Sequence, residues 1–338
     1  MAGKESLAAW RFFELNWLPI AGMCAVLAFG VTATDFSIGL AGAGTVFSVA
    51  AIYAGFAYRS AKAPKRRSPI VVFMLGSIAQ GVLITGVMAP LTYVAASAAL
   101  PLQDANLHAI DQALGLDWRG YLAFVDERPL LSALLAKAYA MIGSQVLIVP
   151  LLLASLGRFC RLQQYTLALA LTLIATTVIS IFVPAIGVYY HLGLTAADHP
   201  NITPATYLDC ARDLPLVRDG LLRHLDLFQL AGIVTFPSFH AASAVLYAWA
   251  LWPIRWVRPL VVIVNGAMLA STPIGGGHYF VDLMAGIAIT VLAIMAAGWV
   301  RRTIEARVDA ELANAPAGEG GAIAAPGNAV PQAATGPS

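Results

Sequence analysis

"RSAKAPKRRSPIVVFMLGSIAQGVLITGVMAPLTYVAASA", Arg59 to Ala98, opens with five basic residues and no acid among its first nine positions. The thirty residues from Pro69 onward carry no charge at all. A helix needs roughly 17–25 apolar residues to cross a bilayer. Lys and Arg collect on the cytoplasmic side of such helices. The stretch therefore predicts a membrane helix over 69–98, entered from the cytoplasm. Composition extends this to the whole chain, which is 59% hydrophobic and only 11% charged. Soluble domains run at about 45–50% and about 25%. A chain of 338 residues could not hide this much apolar surface from water; lipid can hide it. The net charge of +2 says little about partners, and no nucleic-acid partner is expected. Cys24 lies in an apolar run, Cys160 beside arginines and Cys210 in a polar loop, so no disulfide framework is implied.

Working outward, runs long enough to cross a bilayer fall at 15–33, 38–58, 69–98, 129–156, 165–187 and 279–300. Shorter ones fall at 239–254 and 258–273. The fold class read from them is all-α, a polytopic bundle of about eight membrane helices. Fourteen of the twenty Lys and Arg lie on alternate connections: Lys4 and Arg11, the 59–67 segment, Arg158 and Arg161, Arg255 and Arg258, then Arg301, Arg302 and Arg307. This places both termini in the cytoplasm. The six histidines (His108, His191, His199, His224, His240 and His278) fall on the outer side. Glu5 and Glu14 beside the first run favour a retained span over a cleaved signal peptide. The transmembrane domain is read as 1–307, and the Ala-, Gly- and Pro-rich segment 308–338 as a disordered cytoplasmic tail. His108, His191, His199 and His224 are expected to be solvated loop residues. Trp118, Tyr121 and Phe124 are expected as interfacial anchors. The long 188–238 segment is expected to cover a site.

Two polar stretches interrupt the apolar pattern near its end. In "GIVTFPSFHAA", Gly232 to Ala242, Ser238 suits a helix N-cap. It puts His240 in a first turn, where free N–H groups and the dipole favour phosphate. In "STPIGGGHYFVDLMAG", Ser271 to Gly286, a glycine turn leads to His278. Asp282 is four residues on and on the same helix face. Ionisable groups at membrane depth are functional candidates. A carboxylate that accepts Nδ1–H fixes the imidazole tautomer and frees Nε2 as a nucleophile.

PSFH at 237–240 resembles the PSGH motif of the type 2 phosphatidic acid phosphatase superfamily. Ser271 to Asp282 resembles its S-R-x5-H-x3-D motif, with spacing intact. "FPSFH" and "GGHYFVD" are more similar still to the inositol phosphotransferase branch, the inositol phosphorylceramide synthase type. The likeness is carried by residues 232–286. It implies a six-helix phosphatase-like core, with the site facing the exterior of a cell membrane, most simply a bacterial inner membrane. His278 would attack phosphorus, Asp282 would orient it, and His240 would protonate the leaving alcohol. Ser238 and the amides of Gly276 and Gly277 would hold phosphoryl oxygens. The partners implied are a phospholipid or other lipid phosphate and, for transfer, a lipid alcohol acceptor, with no cofactor and no metal. Two departures stand out. The motif arginine is Thr272 here, and "VPAIGVYYHLG" at 183–193 does not match the superfamily's K-x6-RP motif. A phosphoryl group still needs positive charge nearby. Arg218 in "LVRDGLLRHLD" is the leading substitute, then Arg223, then Lys137 about 12 Å into the fourth span at 1.5 Å per residue.

Hydrolysis of phosphatidic acid or isoprenoid phosphates, and transfer of an inositol phosphate-like head group, both fit this pattern. Phe239, where the superfamily has glycine, and Thr272 lean toward transfer. Two readings of other kinds remain: a metal enzyme using the two histidines and the aspartate, and a non-catalytic transporter.

Overall fold

The structure, a computed structural model, describes residues 2–62 and 68–314. In chain order it forms α1 (Ala2–Leu15), α2 (Trp17–Ala33), α3 (Leu40–Lys62), α4 (Pro69–Ala96), α5 (Asp104–Ala113), α6 (Trp118–Asp126) and α7 (Pro129–Ser155). It continues with α8 (Phe159–Phe182), α9 (Val188–His191), α10 (Ala205–Arg218), α11 (Phe239–Leu251), α12 (Arg258–Gly275) and α13 (Phe280–Asn314). The only strands among the described residues are β1 (Ser37–Ile38) and β2 (His224–Leu225), paired in parallel. The architecture is all-α.

Seven segments are long and apolar enough to cross a membrane: Lys4–Ala33, α3, α4, α7, α8, Arg255–Gly275 and α13. The expected eighth, α11, is a shorter apolar helix of 13 residues. Ser238 caps it at the expected start, tied to α13, and its other end falls three residues short of the expected 254, at Leu251, because Pro253 cannot continue the helix. The Ser238 N–H donates to the Asp282 carbonyl at 3.0 Å, and the Ser238 hydroxyl accepts from Ala241 N–H. The fifth span starts at Phe159, six residues before its expected start. That draws Arg161 into the bundle, where its guanidinium lies 3.4 Å from the Trp249 ring centroid. It also donates to the Trp249 and Ala250 carbonyls near the C-terminal end of α11, where a helix is electronegative.

The last helix corrects the expected tail. Residues 308–314 continue α13 instead of starting a disordered segment. Arg11 donates to both Glu311 carboxylate oxygens, at 2.6 and 2.5 Å, and Lys4 pairs with Asp309. The N-terminal helix thus clips the end of α13. The rest of the expected tail and the basic residues Lys65, Arg66 and Arg67 lie outside the described residues.

Inside the bundle α8 packs against α4, α11 and α13. Some of its buried polar groups are paired: the Asn16 side-chain amide donates to Gln163, and Gln163 donates to Ser77 at 3.0 Å. The buried hydroxyls of Tyr165, Thr172 and Thr177 make no hydrogen bond among the described residues.

Two carboxylates from α5 fasten the end of the bundle where α13 begins. Asp111 accepts from the N–H groups of Phe280 and Val281, at 2.7 and 2.9 Å, and so caps α13 from another helix. Burial holds its carboxyl above the usual carboxylate range, against the pull of those donors. Asp104 accepts from Ile186 N–H, Gly187 N–H and the Tyr279 hydroxyl. A buried carboxylate with three donors is satisfied, so these bonds lock α5 to the chain on both sides of the later helices.

Candidate active site

His278 lies in the turn just before α13, two residues short of the helix start. Its Nδ1 is 2.8 Å from the Thr235 carbonyl oxygen and 3.3 Å from Asp282 Oδ2. The expected carboxylate is there, but the closer partner is a backbone carbonyl. A carbonyl can only accept, so Nδ1 carries the proton and Nε2 keeps its lone pair. Asp282 Oδ2 also accepts from Tyr279 N–H at 2.9 Å, and its buried Oδ1 makes no hydrogen bond among the described residues. The indole of Trp118 donates to the His278 carbonyl at 3.1 Å. Trp118 was expected as an interfacial anchor, yet it is 2% exposed and fixes the backbone of His278. Tyr121 is likewise engaged, donating to the Ala270 carbonyl, whereas Phe124 is exposed.

His240 is in the first turn of α11, as its N-cap serine predicts. Its ring stacks on Tyr139 of α7, with centroids 3.8 Å apart and planes 13° from parallel. Gly286 lets this helix approach. A Cβ there would run into the Ser238 carbonyl oxygen, so only glycine allows the start of α11 to rest on α13.

Both imidazoles open onto one cavity of about 210 Å³ between α4, α7, α8, α10 and the 230–235 segment. The 188–238 connection does cover the site, through Thr206, Leu230, Ala231 and Thr235. Tyr139 lines the same cavity. It is 8% exposed, and its buried hydroxyl makes no hydrogen bond among the described residues. A Cβ built on Gly276 would lie 2.7 Å from that hydroxyl and 2.7 Å from His278 Nε2. The two atoms are therefore no farther apart than twice that distance. The bare glycine leaves a gap between phenol and imidazole.

The expected phosphate-binding residues fare unevenly. Gly276 lines the cavity, but its N–H donates to the Thr272 carbonyl at 3.2 Å. Gly277 turns away, with φ +66°, and its carbonyl accepts from Val188 N–H. Ser238 is fully buried in its capping role and does not line the cavity. Arg218 donates to the Leu100 and Ala99 carbonyls, and Arg223 to those of Val217 and Leu222 while covering Phe36. Lys137 is exposed on the outer face of α7. None of these three cations reaches the cavity, whose lining holds no Lys, Arg, Asp or Glu. Each has a local reason to be elsewhere: the arginines satisfy loop carbonyls, and Lys137 faces away from the bundle.

Of the other histidines, His224 is exposed as expected, whereas His199, His108 and His191 depart from the solvated expectation. His199 is 5% exposed and its Nδ1 is 3.0 Å from the Ile202 carbonyl. His108 is half-buried with its ring 4.9 Å from that of His191. Burial, and then His191, lower its pKa. Among the described residues, no three His, Cys, Asp or Glu side chains gather as metal ligands would.

Of the residues that build the site, Tyr139, Asp104 and Asp111 escaped the sequence reading. A tyrosine at mid-span was the one signal that could have flagged Tyr139. The Thr235 carbonyl is backbone and leaves no mark in sequence. No curated protein and no solved structure matches the chain. A family model described as the PAP2 superfamily matches residues 105–296, more than half of the chain and inclusive of both histidines, Asp282, Tyr139 and the two α5 carboxylates bar Asp104. The chain belongs to the PAP2 superfamily as a multi-pass membrane protein, and that membership implies chemistry of the lipid-phosphate phosphatase type.

Proposed function

We propose that this protein cleaves a lipid phosphoester through a phosphohistidine on His278, on the extracytoplasmic side of the membrane. The observation that carries the reading is a single one. A histidine with Nδ1 held as a donor, and hence Nε2 bare, shares a cavity with a second histidine. Nε2 of His278 attacks phosphorus as His240 gives its proton to the departing oxygen. His240 then takes a proton from the incoming water or alcohol, which cleaves the P–N bond. With no arginine at hand, the phosphoryl oxygens are met by the Tyr139 hydroxyl, the orphan N–H groups at the start of α11 and protonated His240. The alternating basic connections support the outward orientation.

Water as acceptor gives a phosphatase for phosphatidic acid or isoprenoid phosphates. A lipid alcohol as acceptor gives a transferase that moves a phospho-head group, inositol phosphate-like in the resembling branch. Phe239, which lines the cavity, favours transfer by narrowing the approach of water. The test is to quench turnover of a phosphate-labelled lipid and look for label on the protein. Label that survives alkali and is lost in acid, with turnover insensitive to chelators, is the expected result. Turnover without any protein-bound label would remove the mechanism.

Tyr139→Phe keeps the stack on His240 and deletes only the hydroxyl. It should lower kcat/KM about 10²-fold, the usual scale for one donor to a developing oxyanion. Thermal stability without ligand should hold or rise, because the buried hydroxyl has no partner to lose. Undiminished activity would remove Tyr139 from the chemistry.

A further inference from the structure

We infer that a second cavity, of about 360 Å³ between α7, α10 and α12, seats the hydrocarbon chain of the lipid alcohol that leaves phosphorus or, in a transfer, arrives at it. The inference rests on the reading of His278 and His240 given above. Both cavities are lined by His240 and Tyr139, but His278 lines only the first. In a displacement at phosphorus the attacking and departing oxygens or nitrogens lie roughly in line on opposite sides. A chamber that touches the acid but not the nucleophile is therefore on the alcohol's side of the reacting atom.

The walls fit a chain. Leu135, Ala136, Ala140, Ile142, Ile202 and Ile274 make much of the lining apolar. The polar lining is His240, Tyr139 and the hydroxyl residues Ser132, Thr203, Thr206 and Ser271, of which Ser132 and Ser271 already donate to backbone carbonyls. Ala136 and Ala140 are exposed on a membrane-spanning helix, beside exposed Leu134. Their small side chains leave the chamber accessible from the lipid side. A third, apolar cavity of about 330 Å³ between α2, α4 and α8 shares Met88 and Thr177 with the histidine cavity but touches neither histidine. An alcohol whose oxygen must meet His240 fits the α7–α12 chamber and not this one.

The exchange balances. In the forward step the P–Nε2 bond forms as the P–O bond breaks, and the His240 proton goes to the departing oxygen. In the second step the alcohol's proton goes to His240 as its oxygen bonds to phosphorus and the P–N bond breaks.

The full-length protein in detergent can be irradiated with a twelve-carbon alcohol bearing a terminal diazirine. Label on peptides spanning 132–142 or 271–275 is expected; label confined to α4 and α8 would overturn the assignment. In parallel, kcat/KM for dodecyl phosphate can be compared with that for butyl phosphate in wild type and Ala140→Trp. Each methylene buried is worth about fourfold. Filling the chamber should therefore cut the preference for the longer ester by about tenfold or more. An unchanged ratio in folded Ala140→Trp would overturn it. If wild type cleaves neither ester while the diazirine alcohol still labels α7, the catalytic reading fails and the chamber stands.

Discussion

Replacing His278 by alanine should abolish turnover of lipid phosphates, with a fall in kcat of about 10⁴-fold or more, the scale seen when an enzyme loses its nucleophile. The imidazole is held from three directions: Thr235 and Asp282 at Nδ1, and Trp118 at its carbonyl. The rest of the cavity offers His240, which the proposed scheme uses as acid and base, the Cys210 thiol, hydroxyls and apolar side chains. Protein-bound label should vanish with activity. The variant should still fold, since Asp111 and Tyr279 hold the start of α13 independently of the ring. The check is purified protein, assayed by released phosphate and by size-exclusion profile. Full turnover in a monodisperse His278→Ala preparation would end the proposed mechanism.

His240→Gln should cost about 10²–10⁴-fold, the range of general acid–base help. The loss should depend on the leaving group. A lipid alcohol needs a proton to depart, whereas a nitrophenolate does not. Nitrophenyl phosphate should therefore regain most of the first step in the variant, and label should accumulate on His278 because the second step lacks its base. The pH profile offers an independent reading. A first step that needs a protonated acid gives the rate an alkaline limb, which should disappear in the variant. Equal losses on both substrates, with no accumulated label, would deny His240 the acid's part.

The histidine pair was legible because its spacing is local. Ser238 two residues before His240 marks a helix start, and His278 with Asp282 spans one turn. The cations were not, because a charge is useful only if its face points inward. Lys137 stands two residues from Tyr139, about 200° around a helix of 3.6 residues per turn. When Tyr139 faces His240, Lys137 must face away, and composition alone cannot say which of the two does so. Arg218 and Arg223 sit near the motif in sequence but spend their donors on loop carbonyls. The spans were legible as runs of apolar residues. Their ends were not: a half-buried arginine at 161 and a clipped helix end at 308–314 each depend on partners about 90 to 300 residues away.

The cap on α13 bears on how the molecule is made. Asp111 leaves the ribosome 169 residues before Phe280, whose N–H it will receive. Until α13 is in place, Asp111 has neither of its donors and Asp104 has only the Ile186 and Gly187 N–H groups, so the turn that carries His278 lacks its tether to α5. A chain that ends before this turn thus lacks both His278 and the backbone donors that Asp111 is placed to receive.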